Sequence, residues 1–262
     1  MRRMLALLVS SVLVTAVSCK KQPSAEEVTN PVVDDRSQTT QTSIQDNRAV
    51  KPSEQITTLS GSENLVAIPL ILPRPQFTGT PEVLIGMDNL DLKPEGWIQP
   101  PFMAPKGVVN VALNKPVTSS EPDPFSGQLK MITDGDKEAT EGSYVELGPF
   151  SQWAQIDLGE SHAIYAVVIW HYHKQARIYF DVAVQVADDP EFITGVTTLF
   201  NNDIDNSSGL GVGQDKNYVD DRNGLLVNAK GIKGRYVRCW SAGNNANDLN
   251  HYIEIEVYGA TQ

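Results

Sequence analysis

The most constraining feature of this sequence is an alternation of polarity with a period of two residues. In the segment 179–186, Phe and Val at the even positions alternate with Tyr, Asp, Ala and Gln at the odd positions. Successive side chains of a β-strand point to opposite faces of the sheet, so the segment is predicted to be a strand with one buried face. Similar runs occur at 153–158, 163–170, 196–200, 235–240 and 252–258. No segment after residue 107 shows a sustained helical repeat, and short strands separated by turn-rich loops indicate an all-β sandwich over residues 108–262.

The segment before this domain is apolar but rich in proline. Residues 65–72 are interrupted by Pro69, and further prolines follow as far as Pro105. Proline lacks a backbone N–H, which excludes a long helix or a central strand through the stretch. We therefore predict a Pro-rich extended arm over residues 61–107. Its apolar side chains would be costly to expose, so we expect the arm to lie along the outside of the sandwich; docking onto another protein is the alternative.

The N terminus predicts export. Arg2 and Arg3 precede an apolar run, residues 4–17, that is too short for a membrane span and typical of a signal-peptide core. Small residues then lead to Cys19, in an order that resembles a bacterial lipobox, where the cysteine is lipidated and becomes the first mature residue. We predict a lipoprotein signal peptide over residues 1–18; an ordinary secretory signal with a chance cysteine is the alternative. Lys20 rather than Asp follows the cysteine, so we expect a lipid-anchored protein of the cell envelope, at the outer membrane.

Residues 19–60 contain no aromatic side chain. They offer little apolar surface to offset the entropy of ordering, so we predict a flexible tether. The whole chain has 21 Lys and Arg against 32 Asp and Glu, a formal net charge of -11. Phosphate contacts require a basic face, and none stands out in the sequence, which argues against nucleic acid as a partner.

Five segments follow, in order, the pattern of one domain family. They are Asn-Val-Ala-Leu-Asn-Lys-Pro-Val-Thr-Ser-Ser at 110–120, Ile-Thr-Asp-Gly-Asp at 132–136, Gln-Trp-Ala-Gln-Ile-Asp-Leu-Gly at 152–159, Gly-Arg-Tyr-Val-Arg at 234–238 and Ile-Glu-Ile-Glu-Val-Tyr-Gly at 253–259. Over residues 110–259 the chain resembles the discoidin, or coagulation-factor type C, domain family. The resemblance implies a jelly-roll β-sandwich with the galactose-binding-like fold, used by exported proteins as a non-catalytic module for glycans, lipids or proteins. The fold alone does not identify the ligand.

The acidic loop, residues 134–140, carries the candidate metal ligands. Its side-chain and backbone oxygens suit a hard cation such as Ca²⁺. Family members that bind calcium use this loop and a Glu of the last strand, so the resemblance implies Asp134, Asp136, Thr140 and Glu254 as ligands of a structural ion. Thr140 lies one residue later than in the family pattern. The alternative is an Asp-Gly turn with solvated carboxylates.

A glycan site needs an aromatic face with a few planar polar groups, and in this fold such groups lie on the loops at one end of the sandwich. The candidate ligand-binding residues are His171, His173 and Arg177 on one loop, and Asn244 and Asn247 on another. The two imidazoles are two residues apart and point the same way on a strand. The alternatives are hydrogen-bonding histidines at a strand end and a loop that uses its Asn side chains in Asx turns.

The sequence contains no nucleophile elbow, zinc-protease motif, P-loop or dinucleotide fingerprint, so we do not predict an enzyme. Trp153 and Trp170 are interpreted as core residues, and Cys239 as an inert buried thiol. We predict a non-catalytic carbohydrate-binding module displayed on a lipid-anchored exported protein, with a glycan or cell-surface polysaccharide as its partner. The alternative is a protein-interaction or scaffolding lipoprotein that uses the same sandwich and the Pro-rich arm.

Overall fold

The computed structural model describes residues 64–260, and within this range the chain is built almost entirely from strands and loops. The strands are β1 Leu65–Ile68, β2 Phe102–Pro105, β3 Val109–Asn110, β4 Val117–Ser119, β5 Val145–Leu147, β6 Gln152–Trp170, β7 Ala183–Ala187, β8 Thr197–Asn201, β9 Leu225–Ser241, β10 Asn250–Tyr252 and β11 Glu254–Ala260. Two short 3₁₀ helices occupy Glu82–Leu84 and Leu129–Thr133. No helix in this range is long and apolar enough to cross a membrane. The predicted signal peptide, Cys19 and the tether lie outside the described residues.

Two long antiparallel strands, β6 and β9, connect the layers of the fold. The first half of β6 also pairs with β4, and its second half pairs with β11, which in turn pairs with β3. The second half of β9 pairs with β7, and β7 with β8. The ladder between β6 and β9 shifts register between Asp157 and His162, where the two halves of each strand diverge. The result is the jelly-roll β-sandwich predicted from the sequence, with β5 and β10 as a separate ribbon.

The main core lies between these layers and is filled by one face of each strand. Ile156 from the first half of β6 and Ile169 from the second half are both completely buried in it. Val184 and Val186 of β7 enter the same cluster, which confirms the inward face expected from the alternation at 179–186. Burying each such side chain contributes about 2 kcal/mol. Cys239 belongs to this core, and burial raises the pKa of its thiol.

The arm covers the outer face of the layer formed by β11 and β6. Its two strands, β1 and β2, pair antiparallel and place Ile68 opposite Phe102. Phe102 packs on the outward side chains of that layer, among them Val168, Trp170 and Tyr258. Backbone hydrogen bonds also join Asn89 and Asp91 of the arm to Asn217, and Leu84 and Leu90 pack on Ile178. Arm and sandwich belong to one packed unit, Leu59–Gln262, and the boundary at residue 107 stays a prediction from the sequence.

The two tryptophans interpreted as core residues have different environments. Trp170 is completely buried beneath the arm. Trp153 is half-buried on the outer face of the other layer, where its ring meets that of Trp240 edge-on at 6.4 Å. The core prediction for Trp153 was wrong because its neighbour Ala154 takes the inward position on β6.

Candidate functional site

A cavity of about 710 Å³ opens among the loops at one end of the sandwich. At this end β6 begins opposite the last residue of β9, β7 begins, and β8 ends. Phe150 lies in the loop before β6, is 83% exposed, and has a φ of 68°. A left-handed backbone is uncommon for a bulky residue. The conformation costs about 1–3 kcal/mol, and it persists only where the surrounding structure holds it. Phe180, half-buried, supplies a second aromatic ring to the same cavity.

Polar groups face these rings from neighbouring loops. The carboxylate of Asp181 accepts hydrogen bonds from the hydroxyls of Ser207 and Ser208, at 2.9 and 2.8 Å. All three side chains belong to residues that line the cavity, and so does Asp248. The cavity therefore combines aromatic surface with hydroxyl and carboxylate groups that are already oriented, as small polar ligands require.

The loop that carries Asn244 and Asn247, here called the Asn loop, contributes one of these two predicted residues to the lining of the cavity. Asn244 lines the cavity but is itself buried, and its side-chain amide donates to Asn247 and to the backbone oxygen of Leu249. Its Oδ1 accepts the backbone N–H of Ala246 and of Asn247. Asn247 is exposed beside this loop and is not among the lining residues. Both side chains thus serve the internal hydrogen bonding of the loop, which was the alternative interpretation of the sequence.

The two histidines predicted to contact a glycan are buried. His171 Nδ1 lies 2.9 Å from Asp220 Oδ2, and its ring stacks on Tyr179 at 4.3 Å. His173 Nε2 lies 2.9 Å from the backbone oxygen of Lys137. At 0% and 1% exposure, neither imidazole reaches a surface where a saccharide could bind. Both residues follow the end of β6 at Trp170 and lie outside any strand, so the alternation expected for a strand does not apply to them.

Arg177 was predicted to bind a glycan from the same loop as the two histidines. It is half-buried and is not among the residues that line the cavity. Its guanidinium lies 4.5 Å from the ring centroid of Tyr172, and Nη1 is 3.3 Å from Nδ1 of His251. Glu146 Oε2 is 3.1 Å from Nε2 of the same imidazole. Burial first, and then the charges of Arg177 and His171, lower the pKa of His251 to about 3. The β5–β10 pairing creates this cluster by placing His251 opposite Glu146, and nothing local in the sequence announces it.

Glu254, one of the predicted calcium ligands, is buried beside the acidic loop. Its side chain is completely buried; Oε2 accepts the backbone N–H of Gly135 at 3.1 Å, and Oε1 has no hydrogen-bond partner within residues 64–260. Burial first, and then the charges of Glu256 and Asp134, raise the pKa of Glu254 to about 9. The neighbouring Glu256 is paired with the ammonium of Lys137. Glu254 is therefore left without a compensating cation, which fits a site for one.

Asp134, Asp136 and Thr140, the other predicted calcium ligands, differ in whether their side-chain oxygens are available to a cation. Asp134 and Asp136 are exposed, and each accepts a backbone N–H two residues further along the chain. These Asx turns use one oxygen of each carboxylate and leave the other available. Thr140 Oγ1 donates to Ser143 Oγ at 2.8 Å, so its hydroxyl is engaged outside the group. The structure thus places Asp134 and Glu254 beside the same backbone segment, whereas it gives no contact that ties Thr140 to them.

Comparison with known proteins supplies the family of the sandwich. Residues 131–239, from the acidic loop to β9, match a family model of the F5/F8 type C group described as NedA-like, galactose-binding domain. This segment of the sandwich is similar to the group in sequence, and the sandwich has the galactose-binding-like fold, so we call it the galactose-binding-like domain. No curated protein matches the chain.

Several solved structures are similar to the galactose-binding-like domain. A fucose-binding module of Streptococcus pneumoniae is 19% identical, with 58% of this chain and 99% of that chain covered and a TM-score of 0.42. Chitosan-binding module 1 of a chitosanase/glucanase from Paenibacillus sp. IK-5 is 22% identical, with 58% and 99% covered and a TM-score of 0.39. The CBM32 of AlyQ, in complex with 4,5-unsaturated mannuronic acid, is 18% identical, with 55% and 95% covered and a TM-score of 0.37.

The galactose-binding-like domain also holds an acidic cluster that the sequence analysis missed. Carboxylate oxygens of Asp181, Asp203 and Asp205 all lie within 4.8 Å of one another at the edge of the cavity. Asp203 is completely buried, accepts the backbone N–H groups of Ser207 and Ser208, and has its pKa raised chiefly by burial. The spacing of residues 203 and 205 was a visible signal. Asp181 belongs to a distant loop, and only the fold brings it to the other two.

Proposed function

We propose that the galactose-binding-like domain is a non-catalytic carbohydrate-binding module whose ligand occupies the cavity beside Phe150. The observation that carries the proposal is the exposed Phe150 ring, held by a left-handed backbone over a concave polar surface. A single exposed ring is common on protein surfaces, but a ring beside a concave polar surface offers a ligand both an apolar and a polar contact. A pyranose supplies one, because it presents an apolar face to a ring and hydroxyls to the groups around it.

The lining residues divide the recognition of a sugar between apolar and polar contacts. Phe150 and Phe180 would pack against the C–H face of the ring. Asp181 would accept a sugar hydroxyl, and Ser207 and Ser208 hold its carboxylate in place. Pre-orientation of this kind reduces the entropy lost on binding. The description of the matched family, a galactose-binding domain, supports the same class of ligand.

The side chains that could support catalysis lie outside the cavity beside Phe150. Cys239 is buried in the core, and burial raises the pKa of its thiol, which disfavours the nucleophilic thiolate. His171 and Asp220 form a buried pair beneath Tyr179, away from the lining of the cavity. We therefore propose binding rather than turnover.

Calcium is proposed as a structural ion at Glu254, with Asp134 and Asp136 as the other side-chain ligands. Glu254 Oε1, buried and without a partner in the described part of the chain, is the observation that supports it. An ion there would supply positive charge to a buried carboxylate and would fix the acidic loop to β11. Asp134 and Asp136 lie outside the lining of the cavity, so the ion would stabilise the domain without touching the sugar.

Display at the cell envelope completes the proposal. Lipid on Cys19 would anchor the exported chain to a membrane, the outer membrane in our interpretation, and the tether over residues 19–60 would let the module reach polysaccharide. Membrane contact would then depend on the lipid.

A second candidate function is protein docking through the arm. Four of its apolar side chains are between 58% and 85% exposed: Ile71, Val83, Ile85 and Ile98. Ile71, Val83 and Ile85 line none of the described cavities, and Ile98 lines one between the arm and the sandwich, whereas Phe150 and Asp181 line the cavity at the loop end. The carbohydrate function is therefore favoured, and docking is the outcome that a negative result would support.

The deciding experiment is a glycan-array screen of the purified full chain, with and without calcium, followed by titration of any saturable ligand. The expected result is saturable binding to at least one saccharide by protein whose thermal unfolding shows that it is folded. Folded protein that binds no saccharide would contradict the proposed function and favour docking.

A further inference from the structure

Two adjoining cavities lie between the arm and the sandwich, apart from the cavity beside Phe150. Their volumes are about 320 and 490 Å³, and both are lined by Lys93, Trp97 and Gln99 of the arm. The first is closed on the sandwich side by Arg222 and Asn223, in the loop that leads into β9. We call this site, defined by those five residues, the arm cleft. Its arm side lies outside the segment that matches the family.

The loop on the sandwich side is held rigidly. The backbone oxygen of Arg222 accepts a hydrogen bond from the indole N–H of the buried Trp170 at 2.9 Å. Gly224 has a φ of 65°, and a Cβ there would lie 2.6 Å from the backbone oxygen of Ile169. Only glycine fits this turn, so the position of Arg222 follows from close packing of the loop on β6.

Arg222 needs an acceptor that residues 64–260 do not supply. Its Nε is buried without a hydrogen-bond partner, and no carboxylate in this range forms an ion pair with its guanidinium. A buried N–H that has lost water and gained no partner destabilises the protein unless a ligand provides the acceptor. The planar guanidinium is suited to a carboxylate, which it binds with two parallel hydrogen bonds.

Lys93 places a second cation at the same cleft. Its side chain is 17% exposed, and Nζ lies 4.0 Å from Asp221 Oδ2, beyond hydrogen-bond distance. The other oxygen of that carboxylate accepts hydrogen bonds from the backbone and the side chain of Asn223. Asp221 thus offsets the charge of Lys93 without using its donors, and the ammonium lies 4.5 Å from the Trp97 ring centroid. Cationic donors and an aromatic ring converge on one space.

We propose that the arm cleft is a second binding site, which takes a saccharide that carries a carboxylate, such as a uronic acid. The Arg222 guanidinium pairs with the carboxylate, and Lys93 adds a second donor. Trp97 packs on the sugar ring, while the amides of Gln99 and Asn223 bond its hydroxyls. A neutral sugar would leave the Arg222 guanidinium without a counter-charge, and an acidic peptide would offer no ring to Trp97. The site does not depend on the cavity beside Phe150.

The test is isothermal titration of the full chain with short oligogalacturonates, compared with the same oligomers after methyl esterification and with poly-glutamate. The acid oligomer is expected to bind, and esterification is expected to abolish binding because it removes the charge and leaves the sugar ring and its hydroxyls unchanged. Arg222→Gln should weaken binding at least about tenfold, since it removes a desolvated charge pair. The matched control is Arg235→Gln, the same change at a partly exposed ion pair with Asp157, and it should stay within about twofold. Phe150→Ala distinguishes the two sites: if it lowers the affinity for oligogalacturonate and Arg222→Gln does not, the acid oligomer binds in the cavity beside Phe150 and the assignment of the arm cleft is overturned.

Several outcomes would overturn the assignment. They are failure of the folded chain to bind oligogalacturonate, equal binding of the esterified oligomer, and an Arg222→Gln protein that binds like the parent. Poly-glutamate binding as tight as that of the acid oligomer would replace the saccharide by an acidic peptide. If Arg222→Gln lowers the thermal midpoint too far for titration, Lys93→Gln provides the same comparison, with an expected loss of at least about threefold.

Discussion

The ring of Phe102 in the arm packs edge-on against the ring of Tyr258 in β11, with 6.0 Å between their centroids. The hydroxyl of Tyr258 donates to Glu256 Oε2 at 2.8 Å, and the other oxygen of Glu256 pairs with Lys137 of the acidic loop. One side chain of the arm is thus connected, through the side chains of Tyr258 and Glu256, to the loop proposed to hold calcium. The arm belongs to the folding unit of the sandwich and does more than extend it.

Phe102→Ala should lower the free energy of unfolding by about 3 kcal/mol, because it removes a buried ring from the cover over β11 and β6. Denaturant unfolding measures the change. Met103→Ala is the matched control: this neighbour is 45% exposed on the opposite face of β2, and its loss should stay below about 1 kcal/mol. Equal effects of the two substitutions would contradict the packing role of the arm.

Removal of calcium with a chelator should lower the thermal midpoint of the full chain. The ion offsets the charge of the buried Glu254, and a ligand that binds only the folded state stabilises it by mass action. Asp134→Ala should abolish the difference between calcium and chelator, whereas Asp123→Ala, an exposed aspartate in another loop, should retain it.

The second acidic cluster gives this experiment a further outcome. If the calcium effect persists in Asp134→Ala and disappears in Asp203→Asn, the ion binds at the cluster of Asp181, Asp203 and Asp205 instead. A midpoint that is the same with calcium and with chelator in the parent protein would exclude a stabilising ion at both places.

The strands and the arm could be predicted from the sequence because the patterns that indicate them are local. Alternating polarity marked the inward faces of β6 and β7, and prolines marked the arm. Where the strands begin was less accessible: the run at 179–186 becomes a strand only from Ala183, because residues 178–180 instead bond to the Asn loop through Phe180 and Asn245.

The binding surface could not be predicted in the same way, because burial depends on segments distant in sequence. No local pattern shows that Tyr179 and Asp220 bury His171, or that His173 contacts the backbone of Lys137. Phe150 gave no signal either, since its position depends on a left-handed turn before β6. Glu254 was accessible through resemblance to a family, which carries long-range information that composition and periodicity lack.

His251 should make stability fall as the pH decreases. Its pKa in the folded protein is about 3, below the ordinary 6.5, because of burial and then the charge of Arg177. Between these values the unfolded chain binds a proton that the folded chain does not, so the contribution is complete above pH 6.5 and is lost toward pH 3, by about 1 kcal/mol per pH unit. Denaturant unfolding between pH 7 and 4.5 should show a shallower dependence for His251→Asn. An unchanged pH dependence would contradict this.

Cys19→Ser should move the protein from the membrane fraction to the soluble fraction of cells that export it. A single residue carries the proposed lipid, so its substitution removes the proposed anchor. The measurement is fractionation followed by detection of the chain, with Ser18→Ala as a control that leaves the cysteine in place. A Cys19→Ser protein that stays with the membrane would require another attachment.

Phe150→Ala should abolish binding of the glycan identified by the array while leaving the fold intact. The ring is 83% exposed, so its removal costs little packing, and alanine in the same left-handed conformation changes the backbone strain little. We expect affinity to fall at least about tenfold in titration and the thermal midpoint to change by no more than a few degrees. Ile193→Ala, at a similarly exposed apolar residue in a loop outside the cavity, is the control and should bind as the parent does. If Phe150→Ala retains full affinity, the glycan binds elsewhere. Substitutions at Arg177 and at the Trp153–Trp240 pair would then test two partly exposed places where an aromatic ring meets a guanidinium.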